Sequence, residues 1–162
     1  MLHGISDLER LSDHARNIME AGTELHEKNI AFSGDAIAEL DVMFEAVKEV
    51  STRAIDAFIR KDAALAFEVD PLEQVVDELE ETLRTRHIDR LKRGECSTTL
   101  GFVYTDLLTD LERVSDHCSN ISMSVMQMDH AEYEPHSYEE GLKFDNPEFK
   151  RLYSEFQKKY QI

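Results

Sequence analysis

The sequence has 162 residues and a strongly acidic composition. This length fits one domain that can bury a core without disulfides or metal ions to hold it together. It has three prolines, six glycines and no tryptophan, and its long stretches rich in Ala, Leu, Glu, Asp and Lys favour an all-α fold. The net charge of −16 at pH 7 disfavours nucleic acid and anionic lipid as partners, and favours metal cations and basic protein surfaces.

Cysteine usage and the N-terminus indicate the compartment. Cys96 and Cys118 lack the paired spacing of a zinc or redox motif, so we expect two reduced thiols in a reducing compartment. The N-terminus is charged too early for a signal peptide, and no apolar run approaches the ~20 residues that a membrane helix needs. We therefore expect the chain as given to be soluble and cytoplasmic.

Apolar side chains recur with helical periodicity in three segments before residue 94, at about 5–28, 34–60 and 62–93. Ser33 is a candidate N-cap for the second helix. Pro71 lies inside the third segment and predicts a kink or break just before it, because proline removes a helical hydrogen bond and clashes with the preceding turn. The predicted core-facing residues of the second helix are Ile37, Leu40, Phe44, Val47, Ala54 and Phe58.

The second half of the chain predicts two more helices. Gly94 predicts the end of the third helix, and a hydroxyl side chain among residues 97–99 caps the fourth. Short connections favour antiparallel neighbours, so we expect an up-and-down bundle. Residues 130–145 resemble a surface loop, after which Asn146 and Pro147 begin a short helix whose aromatic side chains dock on the bundle. The fourth helix has the clearest heptad: Leu107, Leu111, Val114, Cys118, Ile121, Val125 and Met128.

One motif occurs twice. Residues 7–18 read DLERLSDHARNI and residues 110–121 read DLERVSDHCSNI, with nine of twelve positions identical. The first and fourth helices are therefore equivalent elements of a repeated unit. Because two helices precede the second copy and none precedes the first, we expect the rest of the first unit to lie upstream of Met1.

Glu-x-x-x-Asp pairs place two carboxylates on one face of a helix. The three pairs are Glu9 with Asp13, Glu73 with Asp77, and Glu112 with Asp116. If the third and fourth helices turn near Cys96, Asp77 lies 19 residues before the turn and Asp116 lies 20 after it. Glu73 and Glu112 fall within a turn or so of that level. We therefore predict that four carboxylates meet near one seam, where burial makes uncompensated like charge costly.

Three outcomes are open for these carboxylates. They could point into solvent, pair with arginines such as Arg84, Arg86 and Arg113, or bind a cation. Clusters of oxygen ligands suit Mg²⁺, Ca²⁺, Mn²⁺ or iron. His14 and His117 follow the aspartates but point about 100° around the helix from them, so we expect them to be hydrogen-bonded helix residues rather than ligands.

These motifs resemble those of a known family. LERLSDHARNI and LERVSDHCSNI are similar to the third-helix signature of the three-helix PhoU repeat, and residues 72–97 resemble its second helix and turn in the cytosolic domain of bacterial sodium/phosphate cotransporters. The resemblance implies an antiparallel up-and-down helical bundle of PhoU type over residues 1–130. Within it, residues 1–30 correspond to the third helix of a truncated first repeat and residues 33–130 to the second repeat. Residues 131–162 form a loop and a C-terminal aromatic helix.

The resemblance also implies metal sites. In that family paired carboxylate motifs bind multinuclear clusters, often iron or zinc. Carried over by position, one cluster involves Glu73, Asp77, Glu112 and Asp116. Glu9 and Asp13 belong to the other, which the absence of the two opening helices leaves incomplete.

The expected function is a metal-binding regulator of phosphate uptake. It would be homo-oligomeric, as a dimer, and would lie at the inner face of the membrane, with the transporter's membrane domain upstream in the same polypeptide. A freestanding PhoU-type phosphate signalling regulator and a purely structural helical adaptor are the alternatives. Enzymatic activity is not expected, because no histidine has a glutamate three residues before it, as di-iron oxidases require, and no glycine-rich phosphate loop is present.

Overall fold

The computed structural model describes residues 2–129 and 146–162, and the regular secondary structure of these residues is entirely α-helical. This confirms the all-α prediction. None of the described helices is both long enough and apolar enough to cross a membrane. The helices are α1 (Leu2–Glu27), α2 (Gly34–Arg60), α3 (Ala63–Phe67), α4 (Val69–Lys92), α5 (Thr98–Asp129) and α6 (Pro147–Lys159).

The helix ends follow the predicted caps. Ser33 Oγ accepts a hydrogen bond from the Ala36 amide at 3.3 Å at the start of α2, which satisfies one of the free N–H groups of the first turn. Gly94 follows α4 with a left-handed φ of 71°, a conformation that costs glycine little. Ser97 Oγ then accepts from the Leu100 amide at 3.2 Å.

The predicted break before Pro71 is also present. The third segment is divided into α3 and α4, with Glu68 between them. Asp62 caps α3 by accepting from the amides of Ala64 and Leu65 at 3.0 and 3.1 Å. Pro71 falls in the first turn of α4, where its missing N–H removes no helical hydrogen bond.

Helix α5 is the centre of the bundle and packs against α1, α2, α3 and α4. Every member of its predicted heptad is buried except Met128. Burying each large apolar side chain of this kind stabilises the fold by roughly 1.5–3 kcal/mol. Cys96 and Cys118 are both free thiols, as predicted. The largest fully buried side chains of α5 include Tyr104, Leu108, Leu111 and Ile121.

The predicted core face of α2 was partly wrong. Ile37 and Phe44 are exposed. Apolar residues occupy two sides of α2, so periodicity alone did not separate them. The buried side is richer in alanine, whose small side chain lets the backbones of neighbouring helices approach closely. Its residues are Ala36, Leu40, Met43, Ala46, Val47, Val50, Ala54 and Ala57.

The repeated motif brings α1 and α5 together. His14 Nδ1 lies 2.7 Å from Asp110 Oδ1, and His117 Nδ1 lies 3.0 Å from Asp7 Oδ1. The two imidazole rings stack with centroids 5.6 Å apart. Because each histidine bonds the aspartate of the other copy, α1 and α5 run antiparallel about an approximate two-fold axis. The prediction that both histidines are hydrogen-bonded helix residues is confirmed.

Helix α6 docks on α4. Asn146 Oδ1 accepts from the Glu148 amide at 2.9 Å and caps the helix, as predicted. The prediction that its aromatic side chains dock on the bundle is confirmed, whereas the loop predicted at 130–145 lies outside the described residues. The buried anchors are Phe149, Leu152, Phe156 and Tyr160.

One carboxylate joins α6 to α2. Glu49 accepts hydrogen bonds from Arg53, at 2.6 Å for the shorter of two, and from Lys159 and Tyr160. Burial alone would raise the pKa of Glu49, but the bonds from Lys159, Tyr160 and Arg53 outweigh it and hold that pKa at about 2.

Replacing Glu49 should weaken the docking of α6. We expect Glu49→Gln to lower the free energy of unfolding by about 1–2 kcal/mol at pH 7, since bonds to an ionised acceptor become neutral ones. The folded pKa lies below the ordinary 4.5, so the stabilisation is present above pH 4.5 and is lost as pH falls toward 2. Denaturant titrations at pH 7 and pH 3 measure both effects. Glu45→Gln, at an exposed position of the same helix, is the control.

Candidate carboxylate site

Two hydrogen bonds fix the register of the α4–α5 hairpin. Ser119 Oγ donates to Asp70 Oδ1 at 2.9 Å, and Arg84 Nη2 donates to Thr109 Oγ1 at 3.1 Å. Asp77 is seven residues from Asp70 and seven from Arg84, so it lies halfway between these contacts. On α5 the halfway point falls between Glu112 and Asp116.

The register places Asp77 beside the carboxylate pair of α5. Its Oδ1 atom is buried and has no hydrogen-bond partner. Burial first, and then the negative charges of Glu112, Asp116 and Glu80, raise the pKa of Asp77 to about 6, whereas Arg113 acts in the opposite direction. Three of the four predicted carboxylates therefore share one electrostatic environment.

Arginines compensate part of this charge. Arg113 Nε lies 3.5 Å from Glu112 Oε2, and its Nη1 lies 3.5 Å from Asp116 Oδ2. Arg84 Nε donates to Glu80 Oε1 at 2.7 Å. Burial nevertheless keeps the pKa of Glu112 raised, with Arg113 opposing the rise and Asp116 adding to it. Arg113 and Glu112 are adjacent in sequence and their contact is long, so the compensation is incomplete.

Glu80 also belongs to this group, although it is not part of any Glu-x-x-x-Asp pair. It follows Asp77 by three residues, which places both on one side of α4. Glu73 lies one turn before Asp77 and is half-buried. Sequence spacing alone could have found Glu80, since i, i+3 and i, i+4 neighbours are equivalent on a helix surface.

The first-repeat pair occupies a different environment. Glu9 is exposed, and Asp13 forms an ion pair with Arg16 of its own helix. The charges that raise the pKa of Asp77 come from α4 and α5. Glu9 and Asp13 therefore do not join the cluster between α4 and α5.

The donor set suits a hard cation. Carboxylate oxygens are the preferred ligands of Mg²⁺, Ca²⁺, Mn²⁺ and iron, and the unpartnered Oδ1 of Asp77 is an available donor. Among the described residues, no three acidic, imidazole or thiol side chains already converge as a ligand set. A cation would therefore require side-chain movement, with Arg113 displaced from Glu112 and Asp116.

A second buried polar cluster lies nearer the α4–α5 turn. Glu39 accepts from Arg90 at 2.7 Å, Arg86 at 3.2 Å and the Tyr104 hydroxyl at 3.2 Å. Burial opposes ionisation of Glu39, but the arginine bonds outweigh it and lower its pKa. His87 stacks on Tyr104 with ring centroids 4.4 Å apart. Since Glu39 is matched by two arginines, this cluster holds α2, α4 and α5 together.

Removing the charge of Asp77 should stabilise the fold. In chelator at pH 7.5 we expect Asp77→Asn to raise the free energy of unfolding by about 1 kcal/mol, a modest gain because solvent screens a half-buried charge. Ionisation of Asp77 weakens the fold as pH rises through about 6, so the gain should shrink toward pH 4. Thermal unfolding at both pH values tests this. Glu81→Gln on the exposed side of α4 is the control, and an equal gain there would indicate a general charge effect.

Comparison with known proteins agrees with the repeat and the fold. A family model described as the PhoU domain matches residues 40–125. The chain is 36% identical over 124 residues to phosphate-specific transport system accessory protein PhoU homolog 1 of Thermotoga maritima, covering 76% of this chain and 53% of that protein. It is 28% identical over 124 residues to the PhoU homolog of Pseudomonas putida, covering 76% of this chain and 48% of that protein.

A third relative matches a similar length of the chain. The PhoU homolog of Pseudomonas aeruginosa is 28% identical over 126 residues, covering 76% of this chain and 50% of that protein. The chain thus spans about half the length of the curated relatives it matches. No solved structure matches the chain. With its duplicated motif, helical hairpin and family match in agreement, this chain belongs to the PhoU family.

Proposed function

We propose that this chain is a non-enzymatic regulatory module of phosphate uptake, of the freestanding accessory type. The relatives it matches carry the name of accessory proteins of a phosphate-specific transport system. These names favour the freestanding alternative over a domain attached to a sodium/phosphate cotransporter. The chain spans about half of each relative, and the proposal rests on the region that they share.

The regulatory signal that we propose is cation binding between α4 and α5. The observation that carries this is the buried, unpartnered Oδ1 of Asp77 facing the negative charges of Glu112 and Asp116. A bound cation would relieve their mutual repulsion and supply positive charge. Glu73, one turn from Asp77, is the fourth proposed ligand. Iron or zinc is the proposed metal, with Mg²⁺, Mn²⁺ and Ca²⁺ as the other candidates.

A bound cation would also allow the acidic surface to attract a phosphate anion. With a net charge of −16 the protein repels a phosphate anion, and a cation that retains an open coordination position would supply the missing attraction. We place the protein in the cytoplasm, at the inner face of the membrane, with a basic surface of a phosphate transporter as its partner. The acidic surface of the bundle is complementary to such a partner.

A purely structural adaptor is the second candidate. The observation that favours it is a row of exposed apolar side chains along one side of α2, which would suit a partner helix. An adaptor would bind through this row whether or not metal is present. Metal dependence therefore separates the two functions. The exposed residues of the row are Ile37, Phe44, Ile55 and Ile59.

The cation proposal predicts metal-dependent stability. Adding iron, zinc or Mn²⁺ at a hundredfold excess over Kd should stabilise the fold by about 2.7 kcal/mol, which raises Tm by roughly 5–10 °C. The double variant Glu112→Ala with Asp116→Ala should lose both this rise and the metal detected by elemental analysis.

The repeat supplies a matched control for that experiment. Glu9→Ala with Asp13→Ala removes the equivalent pair from α1, where neither side chain joins the α4–α5 cluster. This control should retain the metal-induced rise. Unchanged metal content in the Glu112 and Asp116 double variant would contradict the proposed site.

The regulatory proposal predicts a change in phosphate handling. Cells that lack the gene should take up phosphate at a rate that responds less to phosphate supply, and the wild-type gene should restore the response. The Glu112→Ala and Asp116→Ala variant should fail to restore it if the cation is the signal. Equal uptake with and without the gene, in both starved and replete cells, would reject regulation.

A further inference from the structure

His87 is a buried histidine at one end of the bundle. Its side chain belongs to α4 and is 3% exposed, and its ring stacks on Tyr104 of α5 with the two planes 20° apart. Phe32, in the connection between α1 and α2, meets the same Tyr104 ring edge-on with centroids 5.3 Å apart. Helix α4 ends five residues after His87. His87 therefore lies inside the end of the bundle where the α1–α2 and α4–α5 connections pass.

The surroundings of His87 offer no acceptor to its ring. Neither ring nitrogen has a hydrogen-bond partner among the described residues. Nε2 lies against α5 at Gly101, where a Cβ built on the glycine would be only 3.3 Å from it. The same Cβ would lie 3.2 Å from the side chain of Leu91, so the ring is closely packed on this side. Since a neutral imidazole has one N–H and a protonated one has two, protonation would add a second donor without an acceptor.

The charges near His87 also oppose a proton on its ring. Glu39 already accepts hydrogen bonds from its three neighbours on both oxygens. The Arg90 guanidinium lies over the Tyr104 ring, 5.6 Å from its centroid. A proton on His87 would add a third positive charge to a cluster with one negative charge. The ionisable groups around His87 are Arg86 and Arg90 of α4, Glu39 of α2 and Tyr104 of α5.

Burial decides the protonation state of His87. Burial first, and then the charge of Arg90, lower the pKa of His87 below its ordinary 6.5, whereas Glu39 opposes the change. A protonated ring would gain from stacking on the Tyr104 face, but withdrawing an ion from water costs more than such a contact returns. The neutral ring therefore belongs to the folded state. Its contribution to stability is complete above pH 6.5 and is lost as pH falls.

We propose that His87 is an acid-sensitive switch, in which protonation of its buried, unpartnered ring beside Arg90 opens the end of the bundle at the α4–α5 connection. Opening lets water reach both ring nitrogens and loosens the contacts of Tyr104 with His87 and Phe32. Helix α6 docks on α4 through anchors that do not include His87, so the opening is local. The switch does not depend on the proposed cation site, because Asp77 lies ten residues before His87 on α4.

Amide hydrogen exchange tests the switch. The opening constant of an amide is its exchange rate divided by the rate of an unprotected amide at the same pH. Between pH 7.5 and pH 5.5 we expect this constant to rise by up to about tenfold at residues 84–91 and 100–107, because opening then takes up one proton. Amides of α6 should show no such rise. The measurement uses Asp77→Asn protein in chelator, since Asp77 itself titrates near pH 6 with the opposite effect on stability.

Two substitutions of His87 supply the decisive comparison. His87→Phe keeps a flat ring against Tyr104, and His87→Gln keeps a polar side chain, but neither takes up a proton in this pH range. Both should abolish the rise in the opening constant while circular dichroism shows a folded helical protein. His26→Gln is the matched control, because His26 is an exposed histidine of α1, and it should retain the rise.

Three results would overturn the proposal. The first is an opening constant at residues 84–91 and 100–107 that is the same at pH 7.5 and pH 5.5. The second is a rise of equal size at the amides of α6, which would mean that acid unfolds the whole bundle. The third is a rise that persists in a folded His87→Phe or His87→Gln protein, which would assign the proton to another group.

Discussion

The fold depends on α5, which contacts α1, α2 and α4 through different sides. Its apolar side, which includes Leu111, is buried against α2 and α4. At 100° per residue, Asp110 and His117 lie at one edge of that side and Glu112 and Asp116 at the other. The first edge bonds α1, and the second meets α4. One helix thus sets both the contact between repeats and the position of the carboxylates.

This arrangement explains why the candidate site is electrostatically strained. Packing of the apolar side forces Glu112 and Asp116 toward Asp77, although all three carry the same charge. Arg113 follows Glu112 in the sequence and reaches both carboxylates of the α5 pair only at 3.5 Å. Burial first, and then the uncompensated negative charge of its neighbours, raises the pKa of Asp77. Glu39, by contrast, is paired with two arginines, and its pKa is lowered. Its cluster holds α2, α4 and α5 together.

The same motif behaves differently in its two copies because burial is decided by neighbours. On α5, helices α2 and α4 cover the residues that α1 leaves exposed at Leu8 and Met19. Near-identical local sequence therefore produces a core helix in one place and a helix with an uncovered face in the other. The histidine and the first aspartate of the motif make the same contact in both copies: His14 bonds Asp110, and His117 bonds Asp7.

Sequence alone determined the helices, their caps, the break before Pro71 and the equivalence of α1 with α5, because these depend on local geometry and on spacing within the chain. Spacing about Cys96 also predicted that Asp77 would meet Glu112 and Asp116. The tertiary structure decided which side of α2 is buried, since apolar residues occupy two of its sides. It also joined His14 to Asp110 and His117 to Asp7. These outcomes depend on which helices approach each other and how closely, and no local pattern encodes that.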